Sequence, residues 1–137
     1  MTMQPVRSFG VFLLVPALLC LSGCGVAKGL KPAQATSVKF LTKLQAKRFA
    51  DAHQLCSGKC QAVVTPEQLE NYWELVQKNR GQVTSWTHEG THFQMGTGGS
   101  SITLVYRLKC EKGESAVQFT LVQEGDQWLI QRFDFRG

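Results

Sequence analysis

The chain has 137 residues, a formal charge of +5, 43% apolar residues and 18% charged ones. This composition excludes a disordered polymer, which could not bury enough apolar surface, and the length leaves room for one modest core rather than two domains. Nucleic acid is also excluded as a natural partner, because Lys28, Lys31, Lys39, Lys43, Lys47 and Arg48 are not interleaved with exposed aromatics.

At the N-terminus, Arg7 precedes an uncharged run from Ser8 to Ala27, apolar from Phe9 to Leu21 and closing in Leu21-Ser22-Gly23-Cys24. Small residues at Ser22 and Gly23 fit a signal peptidase cleft, and the thiol of Cys24 is the group that lipid transfer requires. The stretch resembles bacterial lipoprotein signals. That resemblance implies a signal peptide over residues 1–23, lipid on Cys24, and a domain held on the extracytoplasmic, periplasmic face of a cell membrane. Gly25 in place of Asp after the lipidated residue points to the outer membrane in an organism that sorts by that position. The alternative is an uncleaved helix, since about 20 uncharged residues span a bilayer. Residues 24–35 read as a tether, with the folded domain over 36–137. The basic residues that precede the first acid, Asp51, can hold that tether against anionic headgroups, or form an ordinary solvated face.

From Thr36 to Leu55 the apolar residues Val38, Leu41, Leu44, Phe49, Ala52 and Leu55 fall on one helical arc, with a break expected near Lys47. With Cys20 lost in the signal and Cys24 acylated, Cys56, Cys60 and Cys110 remain. An oxidising compartment predicts one disulfide and one spare thiol. Gly58 lets the Cys56–Cys60 loop close on itself, so that pair is favoured, with Cys110 as the alternative partner of either. A zinc site from His53, Cys56, Cys60 and Cys110 is chemically conceivable but less favoured, because extracytoplasmic thiols oxidise. Next, Thr65 as N-cap, Pro66 at the first helical position, Gln68 completing a capping box, and Leu69, Tyr72, Trp73 and Val76 at helical spacing predict a helix over 66–80.

Beyond Gly81 the period changes to two. The run 82–95 contains His88-Glu89-Gly90-Thr91-His92, which matches the H-E-x-x-H pattern of zinc peptidases. That pattern works on a helix, where residues four apart are about 6 Å from each other. The surrounding β-branched and aromatic residues predict a strand instead, in which four residues cover about 13 Å and cannot share one zinc. Gly90 is expected to mark a bulge. Ile102, Leu104, Tyr106 and Leu108 alternate with polar neighbours, residues 116–123 and 128–135 follow after turns at 111–114 and 124–126, and a loose loop over 95–101 joins the first two strands. Helices followed by an antiparallel meander predict an α+β fold, with N-terminal helices packed on one face of a curved antiparallel sheet.

The run Phe40-Leu-x-x-Leu, Phe49-x-x-Ala52, Thr65-Pro-Glu-Gln-Leu, Trp73, Gly81 and Gly125-Asp-x-Trp-x-Ile130 resembles small extracytoplasmic domains of unknown function in the cystatin-like, nuclear transport factor 2-like superfamily. The resemblance spans residues 36–135 and rests on packing positions. It implies a cone with an apolar cavity at its wide end, lined or filled by Trp73, Trp86, Phe93, Tyr106, Phe119 and Trp128. With the expected anchor, the small size and the scarcity of acid-base groups, it implies a noncatalytic binding or scaffolding module for a small apolar ligand, a cell-wall component or an envelope protein, without a cofactor. A homodimer through the sheet face is common among such relatives. Some relatives are enzymes that place an acid or base in the cone. Here Asp51, Asp126, Asp134, His53, His88, His92 and Tyr72 form no recognisable pairing for such chemistry.

Overall fold

A computed structural model describes residues 25–96 and 99–136. Four helices, α1 (Gly25–Gln45), α2 (Phe49–Gln54), α3 (Gly58–Val63) and α4 (Pro66–Arg80), precede four strands, β1 (Val83–Gly96), β2 (Gly99–Cys110), β3 (Gly113–Glu124) and β4 (Gln127–Arg136). The strands form an antiparallel meander in the order β1-β2-β3-β4, curved and open, with the helices against its inner face. The predicted α+β class is the one observed.

The long helical arc breaks where expected. Lys47 adopts φ 60°, and the amides of Lys47 and Arg48 donate to the carbonyls of Leu44 and Lys43. That is the Schellman arrangement, with lysine in the left-handed position that favours glycine. Relieving that conformation with glycine returns about 1–2 kcal/mol, against about 0.4–1 kcal/mol of extra unfolded-state entropy. Lys47→Gly is therefore expected to raise stability by up to about 1 kcal/mol, read as a higher urea midpoint at unchanged slope.

Helix α4 carries the predicted capping box: Gln68 N–H donates to Thr65 Oγ1, and Thr65 N–H to Gln68 Oε1. Two expectations are corrected. The stretch 25–35, read as part of a tether, is the first half of α1 and belongs to the fold: Ala33 is fully buried, and Thr36 Oγ1 donates to the Trp128 carbonyl at 2.7 Å. The connection over 95–101 is no loose loop either, because Met95 pairs with Ser100 and Gly96 with Gly99, so the ladder continues to the hairpin tip. Helix α3 was not anticipated. Ser57, whose hydroxyl accepts from the Cys60 amide, caps it.

The inner face of the sheet carries Ile102, Leu104, Tyr106, Leu108, Val117, Phe119, Leu121 and Ile130, all buried. Phe40, Leu41 and Leu44 of α1 and Leu69 and Trp73 of α4 fill the concavity above them. Beyond Ile130 the strand bulges: Thr120 pairs with Arg132 and Leu121 with Ile130, so Gln131 is an extra residue. The bulge reverses parity. Trp128 and Ile130 point inward before it, Phe133 and Phe135 after it, and Arg132 and Asp134 face outward.

Candidate functional site: a groove along the edge of β4

Among the described residues, a depression of about 980 Å³ runs around the edge of β4, between α3 and α4 on one side and sheet residues such as Gln94, Thr103 and Thr120 on the other. Its apolar wall comprises Val63, Tyr72, Leu75, Val76, Phe133 and Phe135, and its polar rim includes Asn79, Arg80, Gln118, Thr120, Arg132 and Asp134. Five large apolar side chains are exposed among the described residues, and three of them, Val63 (74%), Leu75 (56%) and Tyr72 (45%), border this groove. Such clustering beside a strand edge marks an interaction surface more than scattered exposure does. The aromatic floor is ordered: Tyr72 stacks edge-on against Phe133 at 5.8 Å, and Phe133 against Phe135 at the same distance.

The sequence pointed elsewhere. Of the six aromatics expected at a cone cavity, Trp73, Tyr106, Phe119 and Trp128 are buried core, and Trp86 and Phe93 are half-buried against it. Helix side chains occupy the space a cavity would need. Trp128 borders a second depression, between α1 and the start of β4. What the sequence reading passed over was Leu75, an apolar residue outside the spacing of Leu69, Tyr72, Trp73 and Val76. A leucine on the polar side of an amphipathic helix is the signal that could have located the groove.

His88-Glu89-Gly90-Thr91-His92 lies in strand β1, with a bulge between His88 and Gly90. His88 shares a face with its partner Tyr106, while His92 opposes Thr103 on the other side of the sheet. Glu89 pairs with Arg107 at 2.6 Å, and His88 Nε2 lies 2.9 Å from the Gly90 carbonyl and 2.8 Å from Thr91 Oγ1. The two imidazoles cannot meet at one ion.

Cys56, Cys60 and Cys110 are buried free thiols here. Cys56 Sγ lies 4.0 Å from the Ala52 carbonyl; the neighbouring Cys60 thiol, with burial, pushes the Cys56 thiol well up, and Cys56 in turn draws the Cys60 thiol down against its own burial. Cys110 lies at the end of β2 near Arg80, its thiol raised by burial. His53 is committed elsewhere, with Nε2 2.6 Å from the Val64 carbonyl. No three of these four gather around a common point among the described residues, so the zinc set is not assembled.

The remaining acid-base candidates are dispersed. Asp51 pairs with Arg48, Asp134 with Arg136, and Asp126 stands in the β3–β4 turn. Leu21, Ser22, Gly23 and Cys24 lie outside the described residues. Among those described, no helix is long and apolar enough to cross a membrane.

No protein-family model matches the chain, and no curated protein matches it significantly. Among solved structures, the chain is similar to Aln2 from a Streptomyces species, with a TM-score of 0.53 and 10% identity over 80% of this chain and 90% of that one. At that identity the likeness is one of fold alone. What the two share is helices packed on an open antiparallel sheet.

Proposed function

We propose that this protein is a noncatalytic binding or scaffolding module, tethered to the extracytoplasmic face of a membrane through lipid on Cys24, and that it works through the β4 groove. The observation that carries the reading is the gathering of Val63, Tyr72 and Leu75 along that groove while the sheet's concavity is filled by core. A fold whose interior is packed recognises partners on its surface. The scattered carboxylates, with Asp51 and Asp134 ion-paired, and the separated histidines, with His53 and His88 hydrogen-bonded, fit this reading better than an acid-base pocket, which needs such groups to converge. With lipid on Cys24, the exposed Lys31 and Lys39 of α1 would be available to meet anionic headgroups. In an oxidising compartment the adjacent thiols of Cys56 and Cys60 would close as a disulfide, stapling α3 beside β4.

The test is native mass spectrometry of the protein extracted from membranes of its own or a closely related host, followed by denaturation without reductant. The expected result is a chain starting at Cys24 with added lipid, two hydrogens missing, and a bound mass that Leu75→Glu removes. An unlipidated chain overturns the tether, intact thiols overturn the staple, and a bound mass indifferent to Leu75→Glu overturns the groove.

A further inference from the structure

We infer that the occupant of this groove is a second copy of the same chain, which adds its β4 to the free half of this one and joins two four-stranded sheets into a continuous sheet. The inference rests on reading the groove as a binding surface and is independent of the lipid tether. Strand β4 ends the sheet. The outer edge of its first half is already taken: Ile130 N–H donates to the Leu55 carbonyl at 2.9 Å, and Ser57 N–H to the Ile130 carbonyl at 2.7 Å. Beyond Ile130 no segment among the described residues pairs with that edge. An open edge beside exposed apolar side chains is a template for another strand.

Charge selects the occupant and its register. In an antiparallel pair related by a two-fold axis, directly opposed residues lie on the same face of the sheet. The axis must therefore pass through a residue. Placed at Asp134 it sets Asp134 against its own copy and Arg132 against Arg136, opposing like charges. Placed at Phe133 it opposes Arg132 to Asp134 twice, sets Phe133 against itself, and uses the whole run from Gln131 to Phe135. An axis at Phe135 also matches charges, over a shorter overlap. Arg132 has no carboxylate within ion-pair distance among the described residues, and the axis at Phe133 supplies one. The same two-fold brings Tyr72 and Leu75 of each copy toward the other beneath the joined strands, covering the apolar row that a single copy leaves exposed.

The experiment is sedimentation equilibrium of the full chain as isolated from its host, with or without lipid, in density-matched detergent. It compares the unaltered protein with Arg132→Asp, Leu75→Glu and the charge exchange Arg132→Asp with Asp134→Arg, each first checked for an unchanged circular dichroism spectrum. The unaltered protein should sediment as two chains. Arg132→Asp and Leu75→Glu should each weaken the dimer by about tenfold or more, because the first opposes like charges on both sides of the axis and the second buries a charge. The charge exchange should restore it. A single-chain mass for the unaltered protein, a dimer indifferent to both single changes, or an exchange no better than Arg132→Asp alone overturns the inference. A single chain that still carries a Leu75-dependent bound mass overturns the self-pairing and leaves the groove as a site for another partner.

Discussion

Phe40→Ala is expected to lower the unfolding free energy by about 3–5 kcal/mol, the range for deleting a buried aromatic ring. Phe40 is fully buried in α1 and meets Phe119 edge-on at 5.6 Å and Phe133, tilted, at the same distance. It joins three layers: the first helix, the centre of the sheet, and the groove floor on β4. Neighbours fixed on α1 and two strands cannot collapse freely into the void, so the cavity penalty adds to the lost transfer free energy. Against a total of about 5–15 kcal/mol for a domain of this size, such a loss is a large fraction. Urea denaturation should show a lower midpoint at unchanged slope. Phe40→Leu, which keeps most of the volume, should cost clearly less. A loss below about 1 kcal/mol for Phe40→Ala, the scale of surface changes, would mean that α1 does not pack on the sheet as described.

How far the sequence discloses this fold depends on which rule each residue obeys. Helix α4 is legible because its cap, its proline and its apolar spacing are all local and agree. Strand β4 is the opposite case. In Trp128-Leu-Ile-Gln-Arg-Phe-Asp-Phe135, strict alternation would put Arg132 and Asp134 on the same face as Trp128 and Ile130. The bulge at Gln131 turns Phe133 and Phe135 inward instead, and nothing local announces it. The groove floor depends on that switch. In β1 the β-branched and aromatic run signalled a strand, whose rise is why the separation of His88 from His92 could be anticipated, and Gly90 marked its bulge. The six aromatics show a further limit. Composition identifies residues that leave water, but whether they line a hollow or fill it depends on the volume that Phe40, Leu41, Leu44 and Leu69 bring from the helices. Helix α3 was missed because six residues offer too short a window for periodicity.

Gly29→Val is expected to destabilise the protein by about 1–3 kcal/mol, the cost of forcing extra atoms into a packed site. A Cβ at Gly29 would stand 2.7 Å from Trp128 Cζ2, an atom of a rigid ring, and 3.0 Å from the terminal methyl of Ile102, a buried side chain. Trp128 is buried between α1 and the sheet, and Ile102 lies in the middle of the inner face. The opposing effect is that glycine is a poor helix former, so that any residue with a Cβ gains up to about 1 kcal/mol inside α1. The clash wins because relief would require α1 to move off β4, which would disturb the bond from Thr36 Oγ1 to the Trp128 carbonyl. Gly58→Ala is the matched comparison: a Cβ there meets nothing within 4 Å, and the change should be near neutral. The contrast decides whether the first turns of α1 belong to the fold. If Gly29→Val costs what is expected, the start of α1 is clamped to the sheet through Trp128 and Ile102. If Gly29→Val is as harmless as Gly58→Ala, the segment around Gly29 does not pack on the sheet as described, and the helical core begins nearer Ala33.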